Sequence, residues 1–154
     1  MPSFASLSEP GAVEALTARL NAITEHSPRQ WGRMTANQMF CHISDAFLVV
    51  RGDRPVAKRA DNLFNRTVVK FIALKTPMPW PKGVPTMEEC DAEKKGTPPA
   101  VFAQDRAKAV EALRQFAVPS PTPLSHPLFG PMTHEEWMIW AYRHTDHHLR
   151  QFGA

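Results

Sequence analysis

Residues 130–153, GPMTHEEWMIWAYRHTDHHLRQFG, decide the fold. Thr133 followed by Glu136 is a capping-box pattern that opens a helix, and Gly153 marks its stop. A helix turns about 100° per residue, so with His144 at zero His148 lies about 40° away and Gln151 about 20° away. Trp137, Trp140 and Ala141 fall within about 60° of the same line. Met138, Tyr142, Leu149 and Phe152 form a neighbouring apolar arc. Glu135, Glu136, Arg143, Asp146 and Arg150 take the remaining side. His144 and His148 therefore stand one turn apart on a face otherwise built of tryptophan and alanine, with His147 at its edge.

Two imidazoles at i and i+4 on one inward face can share a metal ion. The competing reading is a pair of hydrogen-bonded core histidines. A second helix, over 36–51 and holding most of MTANQMFCHISDAF, bears on the choice. Thr35 and Gln38 cap it, and Gly52 stops it. On that helix Met39, Ala46 and Val49 lie beside His42, so His42 also points inward. If the two helices are neighbours, His42, His144 and His148 converge. Three neutral imidazoles suit Zn²⁺, Ni²⁺ or Fe²⁺ and leave coordination positions open. Asp45 and Gln151 are candidate outer partners that orient the rings, Asp45 being equally readable as a surface residue.

The remaining segments also read as helices. One over 9–24 has Ser8 as its cap, Pro10 in its first turn, and a stripe of Val13, Leu16, Leu20 and Ile23. A shorter one over 61–74 carries Leu63, Phe64, Val68, Phe71 and Ile72. One over 99–116 turns Phe102, Ala109, Val110, Leu113 and Phe116 inward. Fifteen prolines crowd mainly into 75–99 and 118–132, which are therefore loops. No alternating strand pattern appears. The expected fold is all-α: a four-helix bundle, up-down-down-up-like, with the short helix in a long proline-rich crossover.

The length of 154 residues predicts a single domain over 1–154. A formal charge of +3, with both signs scattered, argues against a nucleic-acid partner. No apolar run approaches the roughly 20 residues of a membrane span. The start, MPSFASLSEPGAVEAL, lacks the features of an export signal, so a cytoplasmic location and free thiols at Cys41 and Cys90 are expected. Cys41 points away from His42 and reads as packing. HEEWM at 134–138 begins like the HExxH zinc motif, but Met138 stands where the second histidine is needed. No glutamate has a histidine three residues on, which removes the di-iron pattern. His126 either lines the mouth of the site or sits in a structured turn. His26 and His134 read as solvated helix-end residues.

MTANQMFCHISDAF, joined to the pattern Trp-x6-His-x2-His-His-x2-Gln-Phe of the last helix, resembles the DinB/YfiT-like superfamily of metalloenzymes, in a branch known only as a domain of unknown function. The resemblance implies a four-helix bundle with a long crossover, often dimeric, and a divalent metal on His42, His144 and His148. It also implies a small-molecule substrate, with thiol S-transfer using low-molecular-weight thiols as one activity. The functions to weigh are therefore a metal-dependent transferase or hydrolase and a non-catalytic binding or interaction module with a structural metal or none. Trp137, Trp140 and Met39 would wall a dry cavity, and the loop PMPWPKGVP at 77–85 is a candidate lid.

Overall fold

A computed structural model describes residues 4–122 and 124–154. Residues 1–3, which belong to the segment expected to lack an export signal, and Pro123, one of the loop prolines, lie outside the described residues. The described chain is mostly helical: α1 (Ala12–Ala22), α2 (Ala36–Arg51), α3 (Lys70–Lys75), α4 (Phe102–Phe116) and α5 (His134–Gln151). A π-helical turn, Asn65–Val69, leads directly into α3, and a 3-10 turn, Glu88–Cys90, lies in the crossover. Two-residue strands β1 (Ser125–His126) and β2 (Gly130–Pro131) pair antiparallel just before α5.

The helix ends follow local chemistry. Thr35 with Gln38, and Thr133 with Glu136, form complete capping boxes at the starts of α2 and α5. Gly52 ends α2 in the left-handed region, where its own N–H closes onto the Leu48 and Val49 carbonyls. The first helix begins later than the sequence suggested. Gly11 has φ 79, which no helical residue can adopt, so α1 starts at Ala12 without a side-chain cap and Ser8 lies in the turn before it.

Leu16, Leu20, Ile23, Met39, Phe40, Ile43, Phe47, Leu113 and Leu149 fill one core, each essentially inaccessible to water. α2 packs chiefly on α4, and α1 lies against both α4 and α5. α2 and α5 face each other through rings: Phe47 meets Trp140 edge-on at 5.8 Å between centroids, and His42 meets His144 at 5.2 Å.

The short crossover helix departs from expectation in its packing. Leu74 is buried in the core and Val69 and Ala73 pack against it, but Leu63, Phe64, Val68, Phe71 and Ile72 are 77, 62, 44, 59 and 44 % exposed. Polar contacts add to this anchoring. Lys70 reaches Glu136, and the Arg143 guanidinium donates to the carbonyls of Ala73 and Thr76 at the end of α3.

The second half of the crossover is anchored by Asp45. This residue is buried and accepts hydrogen bonds from the backbone N–H of Thr97 at 2.7 Å and its hydroxyl at 2.7 Å, with Arg54 paired at 2.8 Å. It is therefore neither a surface residue nor a partner of a histidine, because its two oxygens are already used by the crossover. Removing one member of a buried charged network strands the others. Asp45→Ala is expected to lower the unfolding free energy by about 3 kcal/mol or more in urea titration. A loss under about 1 kcal/mol, as for an exposed ion pair, would show that Thr97 and Arg54 are not held by this carboxylate.

Candidate metal centre

His42 is carried by α2, and His144 and His148 sit one turn apart on α5. Each is only 8–9 % exposed. One ring nitrogen from each lies within 4.8 Å of the other two. The Nε2 atoms of His42 and His144 are 3.2 Å apart. The ring centroids of His148 lie 4.5 Å from His42 and 4.8 Å from His144.

Proton accounting defines what this cluster presents inward. The Nδ1 of His42 is 3.0 Å from the Cys90 carbonyl, which can only accept, so Nδ1 carries the hydrogen and Nε2 is a bare lone pair. The Nδ1 of His148 is 3.0 Å from Oε1 of Gln151. The Gln151 amide is oriented by its other end, whose Nε2 donates to the Trp31 carbonyl at 3.0 Å. Its oxygen therefore faces His148, and His148 too presents a bare Nε2. The Nδ1 of His144 is buried with no hydrogen-bond partner, and its ring stacks on Trp140 at 5.1 Å and 11°. A neutral His144 can place its one hydrogen on Nε2 and donate it to the bare Nε2 of His42, or give up that position to a cation. Burial disfavours the charged forms, holding His42 below the usual histidine range and His144 and His148 well below it. Neutral imidazoles are the state in which a divalent ion is bound, and two of the three, His42 and His148, have their outer nitrogens hydrogen-bonded.

One backbone position makes the Gln151 arrangement possible. Gly32 has φ 77, and a Cβ there would stand 2.5 Å from Nε2 of Gln151. The same loop is pinned to the end of α5 by the Gln30 N–H on the Gln151 carbonyl at 2.7 Å.

The cover of the site comes from the proline-rich loop. The Trp80 ring lies 6.3 Å from His144 and 6.1 Å from His147, and its indole N–H donates to the Ala73 carbonyl. Arg143 holds that loop by donating to the Met78 carbonyl and lies 5.9 Å from the Trp80 ring. Met39, Trp137 and Trp140 are buried, and of these Trp140 stacks on His144. Two shallow surface hollows among the described residues, one beside Trp137 and Val118 and one beside Arg54 and Glu89, are not lined by the three histidines.

A family profile described as "Protein of unknown function (DUF1569)" matches residues 11–154. The chain belongs to the DUF1569 family. No curated protein and no solved structure matches it. Nothing in that family description assigns a role to a residue, so the site of this DUF1569 chain rests on its own geometry.

The other sequence candidates fall into place around it. Gln151 orients His148, as its position on the helix suggested. The partner of His42 is the Cys90 carbonyl and not Asp45, and a backbone acceptor 48 residues away leaves no trace in residue type. Cys41 and Cys90 are free, buried thiols, pushed up to about 11 and about 12 chiefly by desolvation, and neither joins the histidine group. His26 and His134 are exposed.

His126 takes the structured-turn reading. Its Nδ1 accepts from the N–H groups of Leu128 and Phe129 at 3.1 and 3.2 Å, and its ring stacks on Phe129. Trp140 stands between it and the histidine cluster, 5.3 Å from His126 on one side and 5.1 Å from His144 on the other.

Packing lowers the His126 pKa to about 3, below the value near 6.5 expected in an unfolded chain. Between those limits the unfolded chain takes up a proton that the folded one refuses. The contribution is thus fully present above about pH 6.5 and is lost as pH falls towards 3. The three clustered histidines act in the same direction. Metal-free protein should therefore show a urea midpoint that falls steadily from pH 7 to pH 4. The fall should be shallower in His126→Asn, which keeps an acceptor and loses the titrating group. Equal slopes in the two proteins would contradict this account of His126.

Proposed function

We propose that this protein is a divalent-metal-dependent enzyme whose open site is formed by His42, His144 and His148. The observation that carries the reading is the pair of outward hydrogen bonds, His42 to Cys90 and His148 to Gln151, which leave bare Nε2 atoms facing inward. Zn²⁺, Ni²⁺ and Fe²⁺ all suit three imidazoles. Such an ion, when bound, lowers the pKa of a water or thiol beside it and so supplies a nucleophile at neutral pH. The chain's own residues do the rest. Cys90 and Gln151 fix the ring orientations. Trp80 and Trp140 restrict water. Three protein ligands leave one position of a tetrahedral site for a small molecule. The reaction class this supports is transfer or hydrolysis on a small molecule, with a low-molecular-weight thiol as one co-substrate.

The same reading includes a single DinB/YfiT-like domain in which α1, α2, α4 and α5 form a four-helix bundle with residues 52–101 as its crossover. Among the described residues no helix is long and apolar enough to cross a membrane, which is compatible with a cytoplasmic location. A second function, a non-catalytic binding or interaction module with a structural ion, is favoured by one observation: the three histidines are nearly closed off from solvent. A structural ion would resist exchange, whereas a catalytic one accepts exogenous ligands.

Metal analysis separates these readings from a metal-free bundle. Wild-type protein should hold about one divalent ion per chain, and cobalt added to stripped protein should give intense visible bands of a tetrahedral site. His144→Ala should lose both signals, and Gln151→Leu should keep the ion with an affinity about 10–100-fold weaker. A wild-type protein without cobalt bands, or unchanged metal content in His144→Ala, would remove the proposal. Bands that shift with added azide or thiol mark the catalytic reading, and bands indifferent to both mark the structural one.

We further propose that the partner of this chain is a second copy, docked through the open face of residues 63–72. Five apolar side chains there are 44–77 % exposed, and exposed apolar side chains gathered on one short segment mark interaction sites. Light scattering should report a dimer that Phe64→Asp with Phe71→Asp converts to monomer. A monomeric wild type would end this proposal.

A further inference from the structure

Three helix ends meet around a hollow that the core leaves open. α2 stops at Arg51, α4 stops at Phe116, and α5 starts at His134. Residues 118–122, with Pro119 and Pro121, border the hollow and do not continue α4, since proline cannot sit in a helix interior. The space encloses about 300 Å³. That is the lower end of the range for small-molecule sites. At about 30 Å³ per water-sized group it has room for roughly ten non-hydrogen atoms.

The base of the hollow is aromatic. Phe116 and Trp137 are 4 and 5 % exposed and stand edge-on, with centroids 5.8 Å apart. Packing from behind fixes both rings: Phe116 meets Phe47 at 4.9 Å, and Trp137 meets Trp140 at 5.6 Å. Val118, which is 66 % exposed, and the half-buried Leu124 add apolar walls. The base is therefore preformed, and a ligand seated on it has no need to order it.

Two donors in this lining are under-used. The Arg51 guanidinium makes one hydrogen bond, to Oε1 of Gln115 at 3.3 Å. Among the described residues it has no ion pair with a carboxylate, and no carboxylate lines the hollow. The Trp137 indole N–H has no hydrogen-bond partner among the described residues, although indole N–H groups in buried rings ordinarily find an acceptor. The other ionisable residue of the lining, His134, is exposed. A cation and a spare N–H beside an apolar base suit an anion with an apolar body. A carboxylate brings one negative charge and two oxygens that match the guanidinium fork, whereas a phosphate monoester brings close to two charges for this one cation.

We infer that the hollow bounded by Arg51, Phe116, Val118, Leu124 and Trp137 is a binding site for a small monocarboxylate with an apolar body. The body lies against Phe116 and Trp137. The carboxylate accepts from Arg51, with the Trp137 N–H as the second donor. The three histidines take no part in this site, so it stands whether or not they hold an ion.

The test uses cyclohexanecarboxylate, cyclohexanecarboxamide and acetate. The first two share a body and differ in charge, and acetate has the charge alone. Each is titrated at pH 7 into metal-free wild type labelled with nitrogen-15, and the indole N–H signals are followed, with Trp137→Phe showing which one belongs to Trp137. Cyclohexanecarboxylate should shift that signal saturably and bind about tenfold or more tighter than either of the others. Arg51→Gln should reduce its affinity to that of the carboxamide, and Arg51→Lys should keep part of the preference. Val118→Asp, on the exposed wall, should weaken the carboxylate more than the carboxamide, and thermal melts check that each variant folds. Equal affinity for acid and amide in the wild type, no saturable shift of the Trp137 signal below about 10 mM probe, or an acid preference that survives Arg51→Gln would overturn the inference. The comparison of acid with amide in the wild type decides by itself if the Arg51 variants do not fold.

Discussion

The structure depends on two hydrogen bonds that point away from the place where the chemistry would occur. Cys90 and Gln151 take up the outer nitrogens of His42 and His148, and in doing so decide which face of each imidazole is bare. An imidazole has one hydrogen in its neutral form, so fixing it on one nitrogen frees the lone pair on the other. Burial then keeps the rings neutral. The result is two bare lone pairs in a desolvated interior beside His144, an arrangement that suits a cation once His144 gives up its hydrogen bond to His42.

Much of the remaining architecture keeps those two acceptors in place. Cys90 belongs to the crossover, and the crossover is tied to α2 by the buried Asp45 through Thr97 and Arg54. Gln151 sits in the last turn of α5, where the loop containing Gly32 passes close enough for the Trp31 carbonyl to hold its amide. Arg143, one residue before His144, reaches three carbonyls around the end of α3 and so locks the Trp80 loop over the site. Desolvation lowers its pKa, opposed by the nearby Asp146 carboxylate. The long proline-rich segments are thus positioned by polar side chains as well as by the few apolar ones, Cys90 and Phe129 among them, that they place in the core.

The parts of this arrangement visible in the sequence are those governed by helical periodicity. The spacing of His144, His148 and Gln151 put them on one face, the residues beside His42 turned it inward, and both capping boxes marked where their helices begin. What stayed hidden depends on backbone groups and on contacts distant along the chain. The Cys90 carbonyl has no signature in residue type. Asp45 is an acidic residue on the flank of α2 by pattern, and only the fold brings Thr97 to it. The apolar residues of 63–72 have the composition of a core helix and lie on the surface, because periodicity reports that a face exists and not what covers it. Gly11 shortened α1 for a reason the sequence did contain, a residue free to adopt a left-handed turn, but Ser8 and Pro10 offered an equally good start upstream. Membership in the DUF1569 family, matched over residues 11–154, leaves the chemistry to be read from these residues.

The most direct test of the account is the tautomer of each ring in metal-free protein at pH 7, read from the nitrogen shifts and long-range nitrogen–proton couplings of labelled histidine side chains. His42 and His148 should be neutral with the hydrogen on Nδ1 and a bare Nε2. A hydrogen on Nε2 of either ring, or a charged imidazolium there, would mean that the lone pairs do not face a common point and would contradict the central claim.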